Sequence, residues 1–383
     1  MRIAIVYDCL FPHTVGGAER WYRELAERLE GPHEVTYLTR RQWEGENTGT
    51  SFEALAVSSG GALYTKSGRR STGPPLRFGL GVFWHLLRRA SRYDAVHCAS
   101  FPYFSLLGAW LALRLRRRGP LVVDWFELWT RDYWIEYLGP VGGRIGHFVQ
   151  RLCVRAPDRS FTFSRMHAAR LEAEGHRAPL TVLTGMYGGA STDDPTEAAK
   201  PPVAVFAGRH IPEKRVPLLP DVIAAARAEL PGLRGVAYGD GPEREAVILR
   251  VAELGLAGSF EVPGRVSPER IDQALREAAC LVLPSRREGY GMVVVEAAAR
   301  GVPSVVIAGP DNAATELIEH GVNGFIAASA DPAEVARCVV QAVAAGAELR
   351  RSTLEWYRAH AAELSIEGSL ERVVDAYAAI ARS

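Results

Sequence analysis

The sequence predicts an α/β protein of two domains, each a doubly wound parallel sheet with helices on both faces. Three observations carry this. The chain has 383 residues, and a domain usually holds about 100–200. Short apolar segments alternate with stretches of helical periodicity along its length, the pattern of strands buried in parallel sheets. Residues 185–202 lack apolar periodicity and hold Gly188-Gly189, Ser191-Thr192-Asp193-Asp194-Pro195 and Pro201-Pro202, so they read as a linker between similar halves.

Taken in order, strands are expected over residues 2–7, 34–39, 95–100, 121–126 and 159–164 in the first half. Between the first two, residues 18–29 place Trp21, Leu25 and Leu29 at helical spacing. In the second half strands are expected over 203–208, 235–238, 260–262, 280–283, 304–307 and 325–327. Two helices, 353–364 and 367–380, then close the chain. This gives domains over 1–185 and 186–352, followed by a helical segment over 353–383.

Composition excludes several classes. With 48% hydrophobic and 23% charged residues, the chain is neither disordered nor fibrous. Its longest apolar run, 103–113, is interrupted at Arg114, whereas a bilayer-spanning helix needs about 20 apolar residues. The opening Arg2-Ile3-Ala4-Ile5-Val6 is too short for a secretory leader. Five scattered cysteines, Cys9, Cys98, Cys153, Cys280 and Cys338, without a C-x-x-C, read as reduced thiols of a cytoplasmic protein. Net charge is +1, but residues 1–185 hold 25 Lys and Arg against 17 Asp and Glu, and the remainder 20 against 27. Clusters such as Arg69-Arg70 and Arg116-Arg117-Arg118 read as solvated helix ends, or as attraction to an anionic substrate or the inner membrane face. Nucleic acid is not an expected partner, because no zinc-finger spacing or aromatic-interleaved basic stripe occurs.

Three motifs carry chemistry. Gly16-Gly17-Ala18-Glu19 follows the first strand and opens a helix, where glycines let backbone amides approach a phosphate. It is equally a plain turn, and it is not the G-x-G-x-x-G of dinucleotide sites. Gly208-Arg209-His210-Ile211-Pro212-Glu213-Lys214 lies beyond the carboxyl end of the first strand of the second half, where open α/β sheets bind ligands. Arg209 and Lys214 there suit a diphosphate. Glu288-Gly289-Tyr290-Gly291-Met292-Val293-Val294-Val295-Glu296 follows the strand 280–283 and the turn Pro284-Ser285. Glu288 is expected just before a helix and Glu296 a turn inside it, with the amides of Gly291 and Met292 facing an anion. No metal-ligand spacing accompanies these residues.

In this order the motifs resemble those of the retaining, GT-B-fold glycosyltransferases of family 4. The resemblance covers nearly the whole chain and rests on Gly208–Lys214 as G-R-x4-K, Gly239-Asp240-Gly241-Pro242 and the E-x7-E element from Glu288 to Glu296. Gly264-Arg265-Val266, Pro284-Ser285, Asn323-Gly324-Phe325 and Gly16-Gly17-Ala18-Glu19 add to it. It implies two Rossmann-like domains facing a central cleft, the final helix returning to the first. It also implies a nucleotide-sugar donor, UDP-linked in preference to GDP-linked, a hydroxyl acceptor held by the N-terminal domain, and no metal or other cofactor. Arg209 and Lys214 would bind the diphosphate, Glu288 the transferred sugar and Glu296 the ribose. Amides along Gly289, Tyr290, Gly291, Met292 and Val293 would meet sugar and phosphate. Gly239, Gly241, Arg265 and Val266 would flank the base, and Gly16 and Gly17 would lie near the phosphates.

One stretch departs from the family. Where its members often carry His, Val123-Asp124-Trp125-Phe126-Glu127 places Phe126. Asp124, Glu127 or His97 are the candidates for a polar role toward the acceptor; His97 reads equally as a satisfied core histidine. Trp125, Trp129, Tyr133, Trp134 and Tyr137 would stack on a sugar or pack in the protein. A GT-B nucleotide-sugar epimerase, which needs paired acid–base residues on the sugar, and a non-catalytic nucleotide-sugar binder are the alternative readings.

Overall fold

The computed structural model describes residues 1–14, 16–45, 49–61, 73–192, 194–195 and 197–382. Arg69-Arg70 and the linker's Asp193 lie outside the described residues. Two compact units emerge: Met1–Thr184 with Glu367–Ser383, and Gly185–Ile366.

The first unit is built on strands β1 (Arg2–Val6), β2 (Glu34–Arg40), β3 (Glu53–Ser58), β4 (Ala95–Ala99), β5 (Leu121–Trp125), β6 (Arg159–Thr162) and β7 (Leu180–Val182). They form one parallel sheet in the order β3-β2-β1-β4-β5-β6-β7. Helices α1 (Gly17–Leu29), α2 (Gly73–Arg89), α3 (Tyr103–Arg116), α4 (Arg131–Val154) and α5 (Arg165–Ala173) connect them. Every residue of β4 and β5 is buried, as strands covered on both faces require. Thr130 and Ser164 cap α4 and α5 by accepting from the amides of Tyr133 and His167 at 3.3 and 3.2 Å. Helices α2 and α3 pack closely because Gly79 faces the backbone of Phe104, where a Cβ would come within 2.6 Å.

The second unit repeats the plan. Strands β8 (Val203–Ala207), β9 (Arg234–Tyr238), β10 (Phe260–Gly264), β11 (Cys280–Leu283), β12 (Ser304–Ile307) and β13 (Gly324–Ala327) form a parallel sheet in the order β10-β9-β8-β11-β12-β13. Helices α6 (Leu219–Ala226), α7 (Arg244–Glu253), α8 (Pro268–Glu277), α9 (Met292–Ala298) and α10 (Pro332–Leu364) cover it, and α11 (Ile366–Arg382) ends the chain. The strand order reverses between β1 and β4 in one sheet and between β8 and β11 in the other, the crevices where such sheets bind ligands.

Several boundaries differ from those expected. Some expected strands ran one or two residues too far, β8 stopping at Ala207 and β5 at Trp125, while β2 and β10 run one and two residues past their expected ends. Strands β3 and β7 gave no signal, being a half-exposed edge and a three-residue edge. The expected helix 353–364 is the end of α10, which continues past a non-helical Gly346 at φ 51°. Residues 353–366 stay with the second unit, where Leu354 and Tyr357 are buried and Tyr187 meets Tyr357 edge-on at 6.1 Å. The return to the first unit therefore starts at Glu367, not 353. The segment 185–202 runs along the second unit, bonded through Thr192 to the carbonyl of Ala299 (3.0 Å) and through Ala199 to that of Glu277 (2.8 Å).

The returning helix is held by a buried polar network. Tyr377 on α11 shares a hydrogen bond of 3.0 Å with His97 Nδ1. His97 Nε2 meets Asp124 Oδ1 at 2.8 Å, and Trp21 donates to Asp124 Oδ2 at 2.8 Å. All four side chains are shut off from water. With the imidazole neutral, Nε2–H donates to Asp124 and Nδ1 accepts from Tyr377. Removing the tyrosine hydroxyl would leave Nδ1 buried without a partner, a cost of about 1–3 kcal/mol. Tyr377→Phe is expected to lower unfolding stability in urea by that amount; a loss below about 0.3 kcal/mol would contradict the latch.

Candidate functional site

The loops after β8 and β11 meet beside the reversal in the second sheet. Arg286 and Arg287, in the loop after β11, donate their amides to the carbonyl of Glu213 at 2.8 and 3.4 Å. This brings Glu288 to Lys214, and the two side chains form an ion pair. The same carboxylate oxygen accepts from the Ser285 hydroxyl at 2.9 Å. Glu288 is 8% exposed and its backbone is bonded on both sides, from its amide to Asp311 (3.0 Å) and from Ala313 to its carbonyl (3.0 Å). Asn312 fixes that arrangement: its side-chain amide donates to the carbonyls of Ser285 (3.2 Å) and Ile307 (2.8 Å) and its oxygen caps Ala314 (3.2 Å).

Positive charge concentrates here. Arg209 is exposed on the loop after β8, and Arg215 follows Lys214 in a left-handed conformation at φ 49°. Burial and the neighbouring Arg286 both lower the Arg215 pKa. Sequence reasoning singled out Arg209 and Lys214 and passed over Arg215, Arg286 and Asn312. The first two were signalled only as cations adjoining motif residues, and Asn312 by nothing.

The glycines serve close backbone approach. Gly239, at φ 117°, lies against the carbonyl of Gly208, and any Cβ there would overlap it. Gly241 faces the carbonyl of His210 in the same way. The loops after β8, β9 and β10 thereby continue as a ladder: Gly208 N to Tyr238 O at 3.1 Å, His210 N to Asp240 O at 2.9 Å, Gly239 N to Gly264 O at 2.9 Å. Exposed Arg265 and half-buried Val266 follow at its far side. Gly291 caps α9 at φ 105°, and a Cβ on it would come within 2.8 Å of Ala314. Its side has no capping side chain, so Glu288 is not a helix cap. The first amides of α9, at Met292 and Val293, have no carbonyl a turn earlier to bond. Glu296 is half-buried inside that helix, and Gly289 is half-buried beside Glu288. The ring of Tyr290 is buried and its hydroxyl meets the backbone of Met186.

In the first unit the expected acceptor-side residues have other duties. His97 and Asp124 are buried in the network that holds Tyr377, so the core-histidine reading is the correct one for His97. Glu127 is half-buried and accepts from Trp129 Nε1 at 3.1 Å. Phe126 stacks on Phe163 with ring centroids 4.5 Å apart. Trp129 and Trp134 pack around buried Gln150, whose oxygen accepts from the Trp129 amide (3.2 Å), Trp134 Nε1 (2.9 Å) and the Tyr103 hydroxyl (3.0 Å). Trp125 is buried with its Nε1 on Ser160 at 3.1 Å, Tyr133 is buried against Trp129, and Tyr137 lies at the edge of the cluster. Trp125, Tyr133 and Trp134 are buried, Trp129 is half-buried and Tyr137 is exposed. Gly16 and Gly17 open α1, Gly16 in an extended conformation at φ −174°.

Lys214, Glu288 and Ser285 form a hydrogen-bonded corner, with exposed Arg209 on the loop that carries Lys214. Among the described residues, no three His, Cys, Asp or Glu side chains are grouped to hold a metal ion. His210 sits beneath this corner, fully buried against Phe206 with ring centroids 5.8 Å apart. Burial lowers its pKa below the ordinary 6.5. The unfolded chain then takes up this proton first as pH falls, so stability is full above pH ~6.5 and declines below it. His210→Leu is expected to flatten the fall in unfolding stability between pH ~6.5 and ~5; an unchanged slope would show that this imidazole is not held neutral.

Comparisons with known proteins bear on the family and the fold. Residues 16–185 match the family model "Glycosyl transferase 4-like domain" and residues 191–355 the model "Glycosyl transferases group 1". The chain is 31% identical over 189 residues to D-inositol 3-phosphate glycosyltransferase of Nocardia farcinica, covering 46% of this chain and 40% of that protein. It is 28% identical over 140 residues to 2-deoxystreptamine N-acetyl-D-glucosaminyltransferase of Niallia circulans, covering 37% and 35%. The matches thus span 40% or less of these two relatives' lengths. Among solved structures, sucrose-phosphate synthase from Thermosynechococcus elongatus has a TM-score of 0.75 at 17% identity over 100% of both chains. Anabaena HepE in complex with UDP and glucose has a TM-score of 0.72 at 17% identity over 99% of both. These two likenesses speak for the fold, and with both family models matched in order along the chain, the protein belongs to the group 1 glycosyltransferases, with their GT-B fold of two Rossmann-like domains.

Proposed function

We propose that the chain transfers a sugar from a UDP-sugar to a hydroxyl acceptor with retention of configuration and without a metal. The observation that carries this reading is the Lys214–Glu288–Ser285 cluster beside the strand-order reversal, with Arg209 next to it. Breaking the bond between the anomeric carbon and the diphosphate oxygen leaves negative charge on the diphosphate. Arg209, Lys214 and the first amides of α9 are the groups to stabilise it, a role commonly worth about 3 kcal/mol per well-placed donor. Glu288 would accept from hydroxyls of the sugar, and Glu296 from those of the ribose. The acceptor oxygen then bonds to the anomeric carbon on the face the leaving group departs from. Its proton passes to a phosphate oxygen, so no separate protein base is required.

The choice of UDP draws on the neighbouring fold solved with UDP and glucose, and on the family resemblance. The acceptor class draws on the relatives named for transfer to inositol phosphate and deoxystreptamine, both polyhydroxyl compounds. We place the reaction in the cytoplasm with peripheral contact at the inner membrane face. Its support is the basic excess of residues 1–185 and the five free, buried cysteines. Among the described residues no helix is long and apolar enough to cross a membrane.

Calorimetry with UDP and GDP tests the donor. UDP is expected to bind and to raise the unfolding midpoint, by about 2.7 kcal/mol of stability at a hundred times its Kd, and Glu296→Ala should abolish this. Silence toward UDP would overturn the reading. Glu288→Ala is expected to reduce transfer at least ~100-fold with the fold intact, and Arg209→Ala to weaken UDP binding about tenfold or more. Activity surviving a chelator, and a product anomer matching the donor's by NMR, are the expected results for metal independence and retention.

A further inference from the structure

The first unit carries an apolar surface that its fold does not use. Of the fourteen large hydrophobic side chains exposed among the described residues, twelve lie on α2, α3 and α4. These helices share one core on the same face of the sheet, through Phe78, Val82, Leu106, Ala109, Cys153 and Val154. The exposed residues therefore occupy their outward sides. On α2, Leu76, Leu80 and Trp84 recur every four residues and form one stripe. On α4, Val141, Ile145, Phe148 and Leu152 recur at intervals of four, three and four, with Val141 70% and Phe148 62% exposed. On α3, Phe104, Leu111 and Leu115 lie between, Leu115 at 60%. Apolar exposure of this extent on one face marks an interaction surface.

Charge says what it meets. Helices α2 and α3 contain no Asp or Glu and five arginines: Arg77, Arg88, Arg89, Arg114 and Arg116. The turn after α3 adds exposed Arg117 and Arg118. On α4 the acidic residues Asp132 and Glu136 precede the break at Gly139, and the helix beyond it holds Arg144 and Arg151; Arg151 pairs with Glu174 at 3.5 Å, as Arg114 does with Asp158 at 3.5 Å, and the other arginines of the surface outnumber these carboxylates. Arg88 lies over the ring of Trp84 at 4.9 Å, an aromatic–cation pair suited to the headgroup level of a bilayer. A second copy of the chain docked face to face would set these arginines against each other, which like charges oppose. An anionic bilayer supplies both what the apolar stripes and what the arginines require.

We propose that the outward side of α2, α3 and α4 is a docking surface for an anionic lipid bilayer, with the apolar stripes entering the acyl boundary and the arginines meeting lipid phosphates. This rests on the peripheral-contact part of the functional reading and does not depend on the identity of the donor.

The test is co-sedimentation of the full chain with vesicles of phosphatidylcholine alone and with about 30% phosphatidylglycerol, at low and high salt. Binding is expected only to the anionic vesicles, and weaker at high salt. Ile145→Asp with Phe148→Asp, and separately Arg88→Glu with Arg116→Glu, should each weaken it at least about tenfold. UDP binding in the same preparations checks that the variants are folded and reports on the donor reading separately. Equal binding by wild type and variants would overturn the proposal. So would no binding by the wild type, or a dimer in sedimentation velocity that the same substitutions dissolve without any vesicle binding.

Discussion

The ion pair between Lys214 and Glu288 joins the two loops that flank the reversal of the second sheet. Much of the second unit's local structure exists to bring these two side chains together. The Glu213 carbonyl receives the amides of Arg286 and Arg287, and Asn312 fastens the loop after β11 to the end of β12. Gly239 and Gly241 let the loop after β9 close against the one after β8. The carboxylate of Glu288 balances the charge of Lys214 within this corner. Arg209, Arg215 and Arg286 keep the corner positive despite that balance.

The alternation of strands and helices was legible because buried parallel strands are nearly continuous apolar runs, and β11 and β12 fall at their expected limits. The edge strands of the first sheet were not: Glu53–Ser58 is half-exposed and mixes Glu, Ala and Ser with two larger apolar residues. The segments that bring Lys214 and Glu288 together stood out because their residues are local in sequence and carry unusual chemistry for their positions. The direction of the Tyr290 ring, which is buried, left no signal there, since adjacency to a motif says nothing about which way a ring turns. The first unit was read less well. His97 and Asp124 are 27 residues apart and Tyr377 a further 253 beyond Asp124, so a network joining them leaves no local pattern. It spends on packing the very groups that a motif search takes for reactive ones.

The two units differ in how they use charge. In the second, Arg209, Lys214, Arg215 and Arg286 are gathered on the loops beyond the carboxyl ends of β8 and β11. In the first, arginines lie on helix sides and ends next to exposed apolar residues, and the polar groups at its strand ends are buried in the network with Tyr377.

The central claim is that Lys214 and Glu288 act as one element in donor binding. A double-mutant cycle on UDP affinity, with Lys214→Met, Glu288→Gln and both together, measures this directly. Freeing Lys214 from its partner should tighten UDP binding several-fold in Glu288→Gln, and the same substitution should have no effect once Lys214 is Met, giving a coupling of about 1 kcal/mol or more. Effects that add within about 0.3–0.5 kcal/mol would contradict the account and leave the two residues as independent neighbours.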